Sequence, residues 1–265
     1  MNYKEEFVRF LLESGALKFG DFTLKSGRRS PYMINTGALD SGESLSRLGC
    51  FYARAIHEKM ELGVIPQDTS ILFGSAYKGI PLAAAASIAL AAAFDINLGY
   101  AFNRKETKDH GEGGIFVGRK PGPGDRILVV DDVMTAGTAL RDTVDLIGGH
   151  APEAKVVGSV IAVDRKEHGK DLRLSAVAEV QYELGIPVFS IVEIDEIVAV
   201  LKSPSFAESP DDARDAGEDG MENEGPVSIY CDICERKYKN AVPLALPTPA
   251  QIASIEEYLK ANRPT

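Results

Sequence analysis

The run Ile127-Leu128-Val129-Val130-Asp131-Asp132-Val133-Met134-Thr135-Ala136-Gly137-Thr138-Ala139 joins an apolar strand to two adjacent carboxylates and then to a short loop of small residues that opens a helix. Small residues leave backbone N–H groups uncovered, and a helix N-terminus adds partial positive charge, so the loop suits a phosphate monoester. Thr135 and Thr138 add hydroxyl donors. Two carboxylates beside a phosphate repel it unless a polyhydroxylated group or a metal ion lies between them. A ribose 5-phosphate supplies that arrangement. Without a ligand, the same acid pair reads as a surface turn capping a helix.

Three further segments could handle charge. Asn103-Arg104-Lys105-Glu106-Thr107-Lys108-Asp109-His110-Gly111-Glu112-Gly113-Gly114 places four potential cations in seven positions and follows them with three glycines. It reads as a solvated loop or as a hinged lid that neutralises a diphosphate leaving group. Phe73-Gly74-Ser75-Ala76-Tyr77-Lys78-Gly79-Ile80-Pro81 follows a short strand and opens a helix, so its amides can also hold an anion. Arg165 ends an apolar strand; its guanidinium can take a carboxylate in two parallel hydrogen bonds, though arginines there are commonly surface residues.

The elements positioning these residues follow from hydrophobic spacing. Residues 3–13 form an amphipathic helix with Phe7, Phe10 and Leu11 on one face, and 44–59 a longer one with Leu45, Leu48, Tyr52 and Ile56. Residues 21–35 suggest short strands. Strands and helices then alternate: strands at 71–73, 99–102, 127–130, 156–163 and 188–191, helices at 81–94, from about Ala139, and at 175–183. That rhythm predicts an α/β fold with a parallel sheet covered on both faces, whose ligands lie beyond the carboxyl ends of the strands. The polar segment after 99–102 is expected to be too weakly apolar to pack on its own sheet.

Composition narrows the partners. The chain has 265 residues and a net charge of −10. Residues 203–226 alone carry −7, so this stretch reads as an acidic disordered linker between a domain at 1–202 and a C-terminal appendage at 227–265 that holds a terminal helix near 250–262. The absence of a basic face argues against nucleic acid. No apolar run approaches the ~20 residues of a membrane span, and the start of the chain lacks a signal peptide's apolar segment. Three cysteines outside any disulfide-like framework suggest a reducing cytoplasm, with Cys50 in a helix. Cys231-Asp232-Ile233-Cys234 reads as two small residues at a turn, half a zinc site, or a redox dithiol.

The 127–139 run resembles the phosphoribosyl-pyrophosphate (PRPP) motif of type I phosphoribosyltransferases, and the 103–114 string resembles the catalytic lid of orotate phosphoribosyltransferases. The resemblance covers about residues 1–202. It implies the type I phosphoribosyltransferase fold, a central, mostly parallel sheet flanked by helices with a small N-terminal hood. It implies that Asp131 and Asp132 bind the ribose hydroxyls, and that Val133, Met134 and Thr135 to Ala139 (with Ala136, Gly137 and Thr138) surround the 5′-phosphate. Phe19 to Tyr32 resembles the hood hairpin, with Lys25 on the pyrophosphate and with Met33 and Ile34, often aromatic in the family, lining the orotate pocket with Thr135. Tyr77 and Lys78 match the pyrophosphate loop, which implies a non-proline cis peptide near Ala76–Tyr77, a bond that costs ~3 kcal/mol. Arg104, Lys105, Lys108 and His110 match lid contacts, of which Lys105, Lys108 and His110 are the catalytic candidates; in the family the lid reaches the partner subunit of a homodimer. Arg165 matches the arginine for the orotate carboxylate. Mg2+ is the implied cofactor, held mainly by PRPP and through water by Asp131 and Asp132, with no direct side-chain ligand. The rivals are another base phosphoribosyltransferase, purine- or uracil-specific, and a non-catalytic regulator of the same fold.

Overall fold

Side chains alternate across the central strands. Leu72, Leu128, Val130 and Val160 enter one apolar core, while Ile71, Phe73, Ile127, Val129 and Ile161 enter another on the opposite face. A sheet buried on both faces must be covered by helices on both, and the computed structural model is built that way. It describes residues 2–24, 27–108, 114–170, 172–207 and 246–264.

The chain opens with α1 (Tyr3–Glu13), then the antiparallel hairpin β1 (Leu17–Thr23) and β2 (Arg29–Ile34), then α2 (Gly42–Glu61). The main sheet follows: β3 (Ile71–Gly74), α3 (Gly79–Phe94), β4 (Gly99–Lys108), β5 (Gly114–Gly118), β6 (Arg126–Val133), α4 (Thr138–His150), β7 (Lys155–Asp164), α5 (Ala176–Leu184) and β8 (Val188–Glu193). Its order is β5-β4-β3-β6-β7-β8, parallel throughout except for β5, which runs antiparallel to β4. The expected α/β architecture is therefore observed. The chain starts the sheet at β3 and then builds outward to both sides, so the loops after neighbouring β3 and β6 diverge and leave a crevice between them.

Three local expectations are corrected and one helix is added. The segment after Phe102 does pack on the sheet: β4 continues to Lys108 and returns as β5, so the root of the lid is a β-ribbon. A helix α6 (Ile194–Lys202) follows β8 directly, its boxed cap made by Glu193 and Glu196. Packed chain continues past Lys202 into the short helix α7 (Pro204–Ala207), where Phe206 is buried and the Arg9 guanidinium lies 4.6 Å from its ring centre. Cys50, buried in α2, is disulfide-bonded, against the reading that no cysteine is paired; Cys231 and Cys234 lie outside the described residues.

The final helix α8 (Pro249–Asn262) starts at a Thr248–Gln251 capping box with Pro249 in its first turn. Its Ile255, Tyr258 and Leu259 are buried in the larger core, and Tyr258 meets Tyr32 of β2 edge-on at 6.0 Å. Residues 203–265, read from sequence as a linker and an appendage, thus include core. Burying such side chains contributes about 1.5–3 kcal/mol each, and together they approach a domain's whole net stability. Truncation after Lys202 is therefore expected to lower the melting temperature by about 10 °C or more, or to leave an insoluble chain. Melting unchanged from the full chain would show that α8 contributes nothing.

Candidate active site

The carboxyl ends of β3 and β6 place the Ser75–Lys78 and Met134–Gly137 loops side by side. The Ala76–Tyr77 peptide is cis, where the resemblance placed it, and Ala76 N donates to Asn103 Oδ1 at 3.0 Å, tying this loop to β4. Gly74 and Gly79 pack backbone to backbone: a Cβ on Gly74 would lie 2.0 Å from Gly79 O. Only glycine fits there.

Asp131 and Asp132 occupy the end of β6. Asp132 is 5% exposed, and its Oδ2 receives Lys78 Nζ at 2.5 Å and Thr36 Oγ1 at 2.8 Å. Asp131 is fixed through its backbone: its carbonyl accepts from the fully buried Tyr52 hydroxyl at 2.7 Å, and its Oδ1 accepts from Asp132 N at 2.9 Å. Burial and then the neighbouring Asp132 charge push the Asp131 carboxyl up to about 6. Lys78 is the only ion-pair partner of the two acids among the described residues. The pair thus keeps excess negative charge that hydroxyl donors or a hydrated cation would relieve.

The following loop is the one expected to cradle a phosphate. Val133 ends β6, Met134 is half-buried, and Thr135 is exposed. Gly137 adopts φ 70°, and a Cβ there would lie 2.2 Å from Val180 Cγ2, so no other residue fits. No side chain caps α4, which begins at Thr138 with Ala139 exposed, so its first amides face the crevice mouth unclaimed by a cap. Arg141 Nη1 donates to Ala136 O at 2.5 Å and braces the loop, itself held by Glu179 and Glu183.

The cations divide into groups. Lys78 reaches the acids. Lys105 Nζ stands 4.5 Å over the exposed Tyr77 ring of its own chain. Arg104 Nη1 donates to Gly114 O at 3.0 Å and lies 3.4 Å from Phe116 O, bracing the β4–β5 ribbon rather than the acids. Lys108 ends β4, while Lys25 and His110 lie outside the described residues. Met33 and Ile34 are half-buried on β2, beside Tyr32. Arg165, expected to be open to a carboxylate, is 9% exposed: its Nε donates to Tyr32 Oη at 3.2 Å and its Nη2 lies 2.6 Å from Glu167 Oε1.

Sequence reading missed Thr36, Tyr52, Asn103 and Arg141 as supports of the site. Tyr52 lay within a helical apolar stripe and looked like ordinary core. Thr36 and Asn103 carry no local signal, since their partners are distant in the chain, and Arg141 reads from sequence as a surface residue of α4 although it reaches back to Ala136, five residues away.

Adjacent acids ending a central strand, a glycine-hinged amide cradle and a facing lysine loop define this protein as a phosphoribosyltransferase of the type I fold. The phosphoribosyl transferase domain family matches residues 40–190. The chain is 52% identical over 191 residues to orotate phosphoribosyltransferase of Bifidobacterium adolescentis, covering 72% of this chain and 82% of that one. It is 50% identical over 199 residues to the Pseudomonas aeruginosa enzyme, covering 75% and 88%. A crystal structure of orotate phosphoribosyltransferase from Francisella tularensis superposes with a TM-score of 0.64 at 38% identity, over 76% of this chain and 93% of that one. The chain belongs to the orotate phosphoribosyltransferase family.

The raised Asp131 carboxyl has a stability consequence. Its folded value of about 6 exceeds the ordinary 3.8, so the native state binds this proton more tightly than the unfolded state does. Stability is lost as pH rises between these values and the loss is complete above about 6. Asp131→Asn removes that penalty: it is expected to raise stability by about 1–2 kcal/mol at pH 7.5, to lose the advantage near pH 4, and to be nearly inactive. Melting curves at both pH values check the sign.

Proposed function

We propose that this enzyme transfers the 5-phosphoribosyl group of PRPP to orotate, giving orotidine 5′-phosphate and pyrophosphate, a step of de novo pyrimidine synthesis. The observation that carries the sugar-phosphate half of this reading is the Asp131–Asp132 pair, held by Lys78, Thr36 and Tyr52 directly before an uncapped glycine loop; the choice of base rests on the likeness to orotate phosphoribosyltransferases. The acids accept from the two ribose hydroxyls, and the Thr135–Ala139 amides and hydroxyls hold the 5′-phosphate. Lys78, with Lys25 and the lid residues Arg104, Lys105, Lys108 and His110, neutralises the departing pyrophosphate while the C1–oxygen bond breaks. The orotate ring nitrogen, giving up its acidic proton to water, then attacks C1, and the remaining work is positioning. No general base is assigned.

Mg2+ belongs to this reading as a partner of the substrate. The described residues contain no group of three or more metal-ligating side chains, and Asp132 Oδ2 already receives two donors. That donor set suits an ion chelated by PRPP and held through water at Asp131 and Asp132. When bound, it supplies charge neutralisation and a template for the diphosphate. Placement in the cytoplasm rests on PRPP being too highly charged to cross a membrane; no described helix is long and apolar enough to span one.

A homodimer with shared sites completes the proposal. Pro81, Ile88, Ala91 and Ala92 leave one apolar face of α3 uncovered, with Ile88 at 55% exposure. Arg104 and Lys105 turn toward β5 and Tyr77 of their own chain, and neither pairs with the acids. A lid reaching a neighbour's site supplies the charge that the single chain lacks.

Pyrophosphate release assayed with orotate, uracil, hypoxanthine and adenine tests the base, and turnover is expected with orotate alone. Turnover with another base, or with none, would favour the rival activity or a regulator. The shared site is tested by mixing Lys108→Ala with Asp131→Asn. Random exchange makes half the dimers mixed, each with one intact site, so about a quarter of wild-type activity is expected. No recovery after mass spectrometry confirms exchange would place the lid over its own subunit.

A further inference from the structure

Arg165 sits in a buried cluster assembled from distant parts of the chain. Glu167, 7% exposed on its side chain, is its anionic neighbour. Glu167 Oε1 also accepts from Tyr258 Oη of α8 at 3.0 Å and lies 3.4 Å from Tyr32 Oη, while its Oε2 faces Arg28 Nη1 at 3.1 Å. The Tyr258 ring is pinned edge-on against Tyr32, whose face lies 4.9 Å from the Arg165 guanidinium carbon. Asn262 O accepts from His168 N at 2.9 Å, fixing the last turn of α8 beside the same segment.

Two guanidiniums flank one carboxylate, so the cluster carries one positive charge in excess. Arg165 Nη2 is close to Glu167 Oε1 but misaligned with it, leaving this buried nitrogen without a hydrogen bond. Such a donor costs free energy until an acceptor arrives. One monocarboxylate would balance the charge and satisfy the donor, whereas a neutral pyrimidine could offer a carbonyl oxygen to the donor but would leave the charge unbalanced. Arg28 can retain Glu167 when Arg165 turns toward that ligand.

We propose that Tyr258 and Glu167 are positioning residues for Arg165, and that the final helix thereby sets the enzyme's selection of a carboxylated base. This rests on the reading that Arg165 receives the orotate carboxylate. Tyr258 anchors Glu167 Oε1 from α8, and Glu167 together with Tyr32 sets where the guanidinium rests before it turns to the ligand. The α8 helix is a wall of the acceptor site, 93 residues along the chain from the arginine it orients.

A double-mutant cycle on the full chain tests this, reading the KM for orotate, the KM for PRPP and the melting temperature. Tyr258→Phe keeps the ring packing and removes one hydrogen bond to a charged group. It is expected to raise the orotate KM about fivefold while the PRPP KM stays within about twofold. Arg165→Ala is expected to raise the orotate KM further, and adding Tyr258→Phe to it should change nothing more, because the tyrosine acts through the arginine. If Arg165→Ala raises the orotate KM but Tyr258→Phe is silent, adds independently, or shifts both KM values equally, the positioning role is overturned while the carboxylate assignment stands. If Arg165→Ala leaves the orotate KM unchanged, the carboxylate assignment falls and the inference falls with it.

Discussion

Two adjacent carboxylates at the end of a buried strand are the constraint on which the rest of this structure depends. Left alone, Asp131 and Asp132 repel each other and lose hydration, and the raised Asp131 carboxyl records both effects. The protein tolerates them by supplying supports from four directions. Lys78 comes from the β3 loop, Thr36 from the end of the hood hairpin, Tyr52 from α2, and the peptide N–H of Asp132 from β6 itself. None of these neutralises the pair fully. A site that stays electrostatically unfinished without its sugar phosphate binds it with less reorganisation, at a cost in stability that the large two-sided core absorbs.

The same logic recurs at the acceptor end with the charges reversed. There, two arginines surround a single glutamate, and the excess is positive. The two clusters therefore carry opposite imbalances: hydroxyl donors would relieve the acids, and an anion would relieve the arginines. Strand β2 links the two halves, because Tyr32 touches the arginine cluster while Thr36, just beyond the strand, bonds Asp132. A shift of the hood hairpin would be felt at both.

Much of this was legible in the sequence. The 127–139 run gave the acid pair and phosphate loop, because strand, acids and small-residue turn are contiguous and each reports on its own backbone. The strand–helix rhythm gave the doubly covered sheet for the same reason. What escaped was long-range. The polarity of Asn103 to Lys108 hid an edge strand, since the strand needs only one protected face and a partner such as β5. The acidic composition of 203–226 made everything after Leu201 look peripheral. Yet Phe206, Ile255, Tyr258 and Leu259 enter the core. A short amphipathic helix beyond a polar stretch has no local signature of where it docks. Arg165 was identified by type and place, but its glutamate and tyrosine partners were invisible until the fold brought residues 28, 32, 167 and 258 together.

That α8 follows every other described element in the chain also governs how the molecule comes into being. Synthesis proceeds from the N-terminus, so the sheet, the acid pair and the phosphate loop can all assemble before Ile255, Tyr258 and Leu259 leave the ribosome. Until then the hood strand β2 lacks its aromatic neighbour, and the Arg165–Glu167 pair lacks its outer support. In the order of synthesis, the acid pair and its loop precede the outer support of the arginine cluster. Helix α8 acts as a closing stitch, holding β2 and the Arg165–Glu167 pair together once Tyr258 has been added.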